Sequence, residues 1–301
     1  EANRRLGSLA SSRAARAWRR RGNLDEAQRA VERAVSLDRL SRAHEQSLDT
    51  ALRLSTSLRL LARIYEARGD YPSAIRVQRE ANGVLEQMRA SLPGSTTLER
   101  NVMVGQSLLG SLLLYAPALE QADARLLLES AWLTAERRAA SDPADLRAQL
   151  DLQATAIRYA AALIDGPQWR RGEAILQATL ASARRLLDND PGHRDARLNS
   201  AIAEVWLAQF AAAHGDRGGE EDHRLRASEI YASLLQQTPS DPDVLKPYFS
   251  NAAALVSLLP PGQRGAFCRQ ALENHADRAA SALADPEVGA AFERLRETCR
   301  R

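Results

Sequence analysis

In the stretch LARIYEARGDYPSAIRVQREA, residues 61–81, apolar and small positions fall at Leu61, Ala62 and Tyr65. They pause at the polar turn Gly69-Asp70 and resume at Ala74 and Ala81. Helical spacing on both sides of a Gly-Asp break predicts a helix, a turn, and a second helix whose alanines permit a close crossing. The same order stands at Ala14, Ala15, Trp18, Gly22-Asn23-Leu24, Ala27 and Ala34. Tyr115, Ala124 and Ala131 keep the spacing without the turn glycine. Leu207, Ala208, Gly215-Asp216, Ala227, Tyr231 and Leu234 give it once more, with RGGEEDH (217–223) inserted after the turn and expected on a loop tip.

Between these pairs a helix-stopping word recurs, as in AASDPADLRA, LLDNDPGHRDAR, QTPSDPDVLK and ALADPEVGAA. Proline cannot donate within a helix and pushes the preceding residue out of the α region, while a nearby Asp, Ser or Asn can cap the next helix. The stops Pro93, Pro143, Pro191, Pro239 and Pro286 lie 50, 48, 48 and 47 residues apart. A fixed period of that size predicts a repeat array. The expected fold is all-α: one right-handed superhelical solenoid over 1–301, built from about six antiparallel hairpins. These fall near 2–41, 45–92, 97–141, 145–190, 194–239 and 243–285, with a capping helix at 286–300. Each helix should run about 18–22 residues, roughly 30 Å at the α-helical rise. The first helices of the hairpins are expected to line the concave face.

These residues resemble the tetratricopeptide repeat: an apolar face on the first helix, Gly-Asp at the turn, alanine at two fixed places on the second helix, and a closing proline. The resemblance covers nearly the whole chain and departs from the family in length, since the units run near 48 residues rather than the family's 34. It implies a scaffold that binds a partner peptide or helix. A second resemblance rests on EANRRLGSLA at the start, LPGSTTLER at 92–100 and the long Arg/Ala/Leu-rich repeats ending in Asp-Pro. These are similar to the C-terminal region of bacterial receptor-type serine/threonine kinases, which implies a sensory or docking segment following a kinase domain and a membrane span. The kinase signatures themselves are missing from this chain: no Gly-rich phosphate loop, no His-Arg-Asp, no Asp-Phe-Gly.

Composition sharpens this picture in three ways. Hydrophobic residues make up 45% of the chain but aromatics only 5%. Ala, Leu and Arg dominate, which favours helix. No apolar run is long enough to span a bilayer. A start at Glu1 rather than Met suggests an excised or processed piece. The 41 basic residues include a single lysine, Lys246, and the net charge is only +3. High genomic GC content accounts for arginine in such numbers without a nucleic-acid role. The charge is uneven, however: residues 1–21 hold Arg4, Arg5, Arg13, Arg16, Arg19, Arg20 and Arg21 against Glu1 alone. That stretch reads either as the solvated face of a first helix or as a patch for anionic lipid or nucleic acid.

Catalytic motifs are missing. There is no phosphate-binding glycine loop, and GQSLLG (105–110) lies in a predicted helix rather than on a nucleophile elbow. His214 and His223 bracket four carboxylates, Asp216, Glu220, Glu221 and Asp222, but an inserted hydrophilic loop does not fix ligand geometry, so no metal or cofactor is expected. Cys268 and His275 stand seven residues apart on one helix, about 10 Å along its axis, too far for a nucleophile and its base. Cys268 and Cys299 read either as a disulfide tying the cap to the last hairpin, in an oxidising compartment, or as two buried thiols.

The expected function is therefore non-enzymatic protein binding in a groove. On the repeat alignment its first-helix positions are Arg16, Arg20, Arg59, Arg63, Gln106 and Arg158, followed by apolar Ile202 and Val205. Arginine's planar fork suits carboxylate or phosphate, so an acidic or phosphorylated segment is the expected partner. The asparagines that chaperone-tail-binding repeats pair with such residues are not found by this alignment. No specific nucleic-acid partner is expected, and membrane attachment is expected only through a parent chain. The alternatives are a free-standing adaptor or a basic surface binder acting through residues 1–21. The kinase reading places the chain outside the cytoplasm, whereas a basic start beside a membrane span favours the cytoplasmic side.

Overall fold

The computed structural model describes residues 2–20, 23–279, 282–283 and 285–300. Among these there is helix and no strand. The chain read as a single array divides into two compact units, Glu1–Asp142 and Pro143–Arg301. The boundary falls inside an Asp-Pro word. There Asp142 leaves the helical region (φ −142°, ψ 90°) and Pro143 cannot donate.

The first unit holds α1 (Ala2–Arg20), α2 (Leu24–His44), α3 (Leu48–Ala67), α4 (Tyr71–Glu86), α5 (Thr96–Leu113) and α6 (Ala118–Ser141). They pack as three consecutive hairpins, α1 on α2, α3 on α4, α5 on α6, with α2 on α3 and α4 on α5 joining them. The second unit holds α7 (Leu146–Ala161), α8 (Trp169–Asn189), α9 (Arg194–Ala213), α10 (Arg217–Gln237), α11 (Pro242–Leu258), α12 (Pro261–Ala279) and α13 (Pro286–Arg300). There α7 pairs with α8 and α9 with α10, and α11 lies against α10. The fold class is thus all-α, made of helix hairpins stacked side by side.

Each hairpin turn has a local cause. Gly69 and Gly215 take φ of 74° and 77°, a region a side chain disfavours. The Asp70 N–H donates to the Tyr65 carbonyl and the Gly69 N–H to Glu66, while Asp216 and Gly215 repeat the pattern onto Ala211 and Ala212, all within 2.9–3.2 Å. This satisfies the last carbonyls of one helix. The same aspartates then start the next helix: Asp70 accepts from the Ser73 N–H at 3.1 Å and Asp216 from the Gly219 N–H at 2.9 Å.

The Asp-Pro words divide into two roles. Asp142 and Asp190 close α6 and α8. Asp241 and Asp285 instead open α11 and α13. Asp241 accepts from the Asp243 N–H at 3.0 Å and Asp285 from the Glu287 N–H at 2.9 Å, with a proline at the first helical position.

Two expectations change. RGGEEDH is not a loop tip but the first two turns of α10. Asp216 caps it, and Glu220 pairs with Arg224 one turn on, Nε to Oε1 at 2.8 Å, which favours helix over loop. The hairpin read at 243–285, with a separate cap at 286–300, is also arranged differently. The helix lying along α11 is α13, which buries Val288, Ala291 and Leu295, and α12 touches both only lightly. Most of α12 is polar and exposed; Cys268 and Ala271 are the buried residues among those described. Cys268 is disulfide-bonded to Cys299, with Cα atoms 5.8 Å apart.

Close crossing explains the small residues. A Cβ on Gly110 of α5 would sit 2.7 Å from Leu128 Cγ and 3.0 Å from the Ala124 carbonyl of α6. Gly83 of α4 has open space instead. Gly110→Val is therefore expected to lower stability by about 2–3 kcal/mol through overpacking, whereas Gly83→Ala should raise it by about 0.5–1 kcal/mol. Urea midpoints of the two variants should move in opposite directions. The Cys268–Cys299 bridge closes a 31-residue separation, so Cys299→Ser should cost roughly 3 kcal/mol. Reductant should lower the wild-type midpoint to that of Cys299→Ser and leave the variant unmoved.

Candidate functional site

In the first unit the first helices α1, α3 and α5 lie beside one another. Ser12 Oγ of α1 stands 3.5 Å from Ser57 Oγ of α3, and Arg59 of α3 reaches Asn101 of α5. This layer carries four of the sequence-derived groove positions. Arg16 is exposed on α1, one turn beyond Ser12. Arg20 is the last residue of α1, and its side chain lies outside the described residues. Arg63 is exposed on α3, one turn beyond Arg59.

Arg59 is the chemically distinct member. Its Nε and Nη2 donate to Ser55 Oγ at 3.2 and 3.0 Å, and Nη2 donates to the Asn101 carbonyl at 3.2 Å. The Asn101 side-chain oxygen is a further acceptor at 3.4 Å. All these acceptors are neutral. Burial, followed by the positive charge of Arg100, pushes the Arg59 guanidinium down to about 10. It is still cationic at neutral pH, with hydrogen bonds but no counter-charge. An anion delivered there would meet a half-buried positive group whose solvation is already lost.

The structure does not bring Gln106 to this place. It stands five residues beyond Asn101, about 140° round α5 at the helical period. Asn101 and Arg100 are the α5 residues at the site, and the repeat alignment missed both. The signal was available as a spacing, since Arg59 and Asn101 are 42 residues apart and other partners in this unit, such as Arg39–Glu80, are 41 apart.

Two clefts lie elsewhere in this unit, along α2. One of about 250 Å³ opens between α2 and α4, floored by Val35, Leu58 and Leu61. The Arg39–Glu80 ion pair, 2.6 Å, joins two of its lining residues. A broader groove of about 580 Å³ runs between α1 and α2, lined by Gly7, Ser11, Arg33 and Leu37 among others.

In the second unit Arg158 is half-buried on α7, and its Nη1 donates to the Ala154 carbonyl at 3.1 Å. Ile202 and Val205 of α9 are half-buried and divide between two clusters. Ile202 packs with Ile157, Leu176 and Phe210, and Val205 with the Tyr231, Val244 and Tyr248 group. Both thus support the core. The first-helix layer is joined by Asn199 Nδ2 donating to Gln153 Oε1 at 3.1 Å.

The histidines near the insertion are also placed. His214 ends α9, with its ring stacked on Trp169 at 3.7 Å between centroids. His223 Nδ1 lies 2.6 Å from the buried Glu204 carboxylate, which also accepts from Arg226 Nε at 3.3 Å. The side chain of His275 lies outside the described residues. Among the described residues no group of three or more His, Cys, Asp or Glu could hold a metal ion, and no helix is long and apolar enough to cross a membrane.

No protein-family model matches the chain, and no curated protein sequence matches it. Among solved structures it is similar to the hypoxic regulator of sterol synthesis Nro1, described as a nuclear import adaptor. The TM-score is 0.47 at 11% identity, covering 95% of this chain and 91% of that one. It is also similar to the yeast Tom70, with a TM-score of 0.18 at 11% identity, covering 97% of this chain and 91% of that one. Both scores are low, and nothing about this chain's partners follows from them.

Proposed function

We propose that the chain is a protein-interaction module and that the first-helix layer of its first unit takes an acidic or phosphorylated segment of a partner. The observation that carries this reading is Arg59, a cation held by neutral acceptors and pressed by Arg100. Arg63, one turn along, and Arg16 on α1 extend the positive face, and both are exposed. A carboxylate or phosphate seated across Arg59 would accept charge-assisted hydrogen bonds and relieve the like-charge pair at once. The finer role, docking for a membrane-anchored bacterial serine/threonine kinase, is supported by the sequence words at 1–10 and 92–100. It requires that this chain be joined to a kinase domain.

The probe is a fluorescent oligoglutamate peptide, with oligolysine as the control. Arg59→Met should weaken oligoglutamate binding by roughly tenfold or more, since a hydrogen bond to a charged group contributes about 1.5–3 kcal/mol. The same change should raise folding stability by about 1 kcal/mol, because it removes an uncompensated half-buried charge at similar volume. Affinity by fluorescence anisotropy and the urea midpoint should therefore move in opposite senses. Arg63→Glu should weaken binding and leave the midpoint near its starting value. Unchanged oligoglutamate affinity in both variants would remove the site.

A further inference from the structure

A second surface on the first unit is independent of Arg59, Arg63 and Arg16. Helix α1 contains no acidic residue over Ala2–Arg20. Its inner side is committed: Ser8 and Ala15 are buried, Ser12 meets Ser57, and Gly7 lies close enough to Leu37 that a Cβ there would stand 3.1 Å from it. The opposite side carries Arg5, Leu6, Leu9 and Arg13, all exposed. At the helical period these four fall within about 100° of arc. Leu6 is 65% and Leu9 43% exposed.

A single exposed leucine is ordinary on a folded protein. Two of them, one turn apart between two arginines on a helix with no carboxylate, form a combined chemistry. The surface is apolar enough to enter a hydrocarbon boundary and positive enough to be drawn to it. A nucleic acid backbone would use the arginines but has no place for the leucines. Arginine stems can lie along apolar material while the guanidinium stays at the phosphate level, so the two residue types suit one surface at one depth.

We propose that this outward face of α1 docks on an anionic lipid bilayer, with Leu6 and Leu9 entering the boundary between headgroups and acyl chains and Arg5 and Arg13 pairing with lipid phosphates. Binding is peripheral and lies in the plane of the interface. It uses none of the residues assigned to the acidic-segment site.

The test is flotation of the full chain with vesicles of phosphatidylcholine alone and of phosphatidylcholine mixed with phosphatidylglycerol. Partition should appear only on the mixed vesicles. Leu6→Ser with Leu9→Ser should lower it on the order of tenfold or more. Arg5→Glu with Arg13→Glu should lower it on the order of 30-fold, from about fivefold per basic residue near an anionic surface. Both pairs are exposed, so the circular dichroism spectrum should stay that of the parent chain. Failure of the parent chain to partition onto mixed vesicles would overturn the proposal. So would partition that the serine pair leaves unchanged, because the attraction would then be charge alone. Tighter binding to duplex DNA than to mixed vesicles at the same salt would assign the face to nucleic acid instead.

Discussion

The structure depends on how closely the two helices of a hairpin can cross. Along the second helices, small residues stand two turns apart where the partner helix passes: Ala27 and Ala34, Ala74 and Ala81, Ala124 and Ala131, then Gly172 and Thr179, all buried. Where alanine is still too large, glycine replaces it. A Cβ on Gly172 would meet Phe210 Cζ at 2.7 Å and the Ala160 carbonyl at 3.1 Å. Close axes let the flanking leucines and valines of one hairpin reach into the next, which is why Leu54, Leu58, Leu61 and Val77 belong to one cluster with Val31 and Val35.

Once crossings are fixed, neighbouring hairpins need a register, and polar pairs supply it. Arg39–Glu80 and Arg79–Glu120 join second helix to second helix, both 41 residues apart. Arg59–Asn101 and Gln153–Asn199 join first helix to first helix, 42 and 46 apart. Arg68–Asp25 and Arg194–Asp241 link the ends, 43 and 47 apart. The exposed pairs are weak individually, of order 1 kcal/mol or less. Their use is geometric: each is satisfied in one stacking register and lost by a slip of one turn. The prolines that mark the period in the sequence and these pairs that join the repeats express the same length.

Legibility in the sequence followed how local the cause was. The Gly-Asp turns were readable because Gly69 and Gly215 need φ above zero and the following aspartates cap a helix, all within six residues. The start of α10 was misread because RGGEEDH looks like a solvated loop. The i,i+4 pair Glu220–Arg224 and the cap at Asp216 were the counter-signals. That α13 rather than α12 lies along α11 was not readable from periodicity, since the choice is made by competing tertiary burial. Val288, Ala291 and Leu295 offer a better apolar stripe than α12 presents. The groove positions were half legible. Arg59 was found as a first-helix arginine, but Asn101 and Arg100, which set its environment, come from the next hairpin and require the register.

Arg59 shows why a candidate site can arise within such a regular frame. Packing holds it between Ser55 and Asn101, so the guanidinium cannot swing fully into water. The neighbouring positions are neutral or positive, so its desolvation is not offset by a counter-charge. Elsewhere in the first unit arginines on the second helices meet glutamates, as at Arg39 and Arg79. An array selected for stability alone would place a glutamate at 101, 42 residues after Arg59, following the rule its own second helices use. An asparagine there keeps the hydrogen bond and leaves the charge available. That departure from an otherwise consistent pairing rule is the kind of local cost that accompanies a binding function.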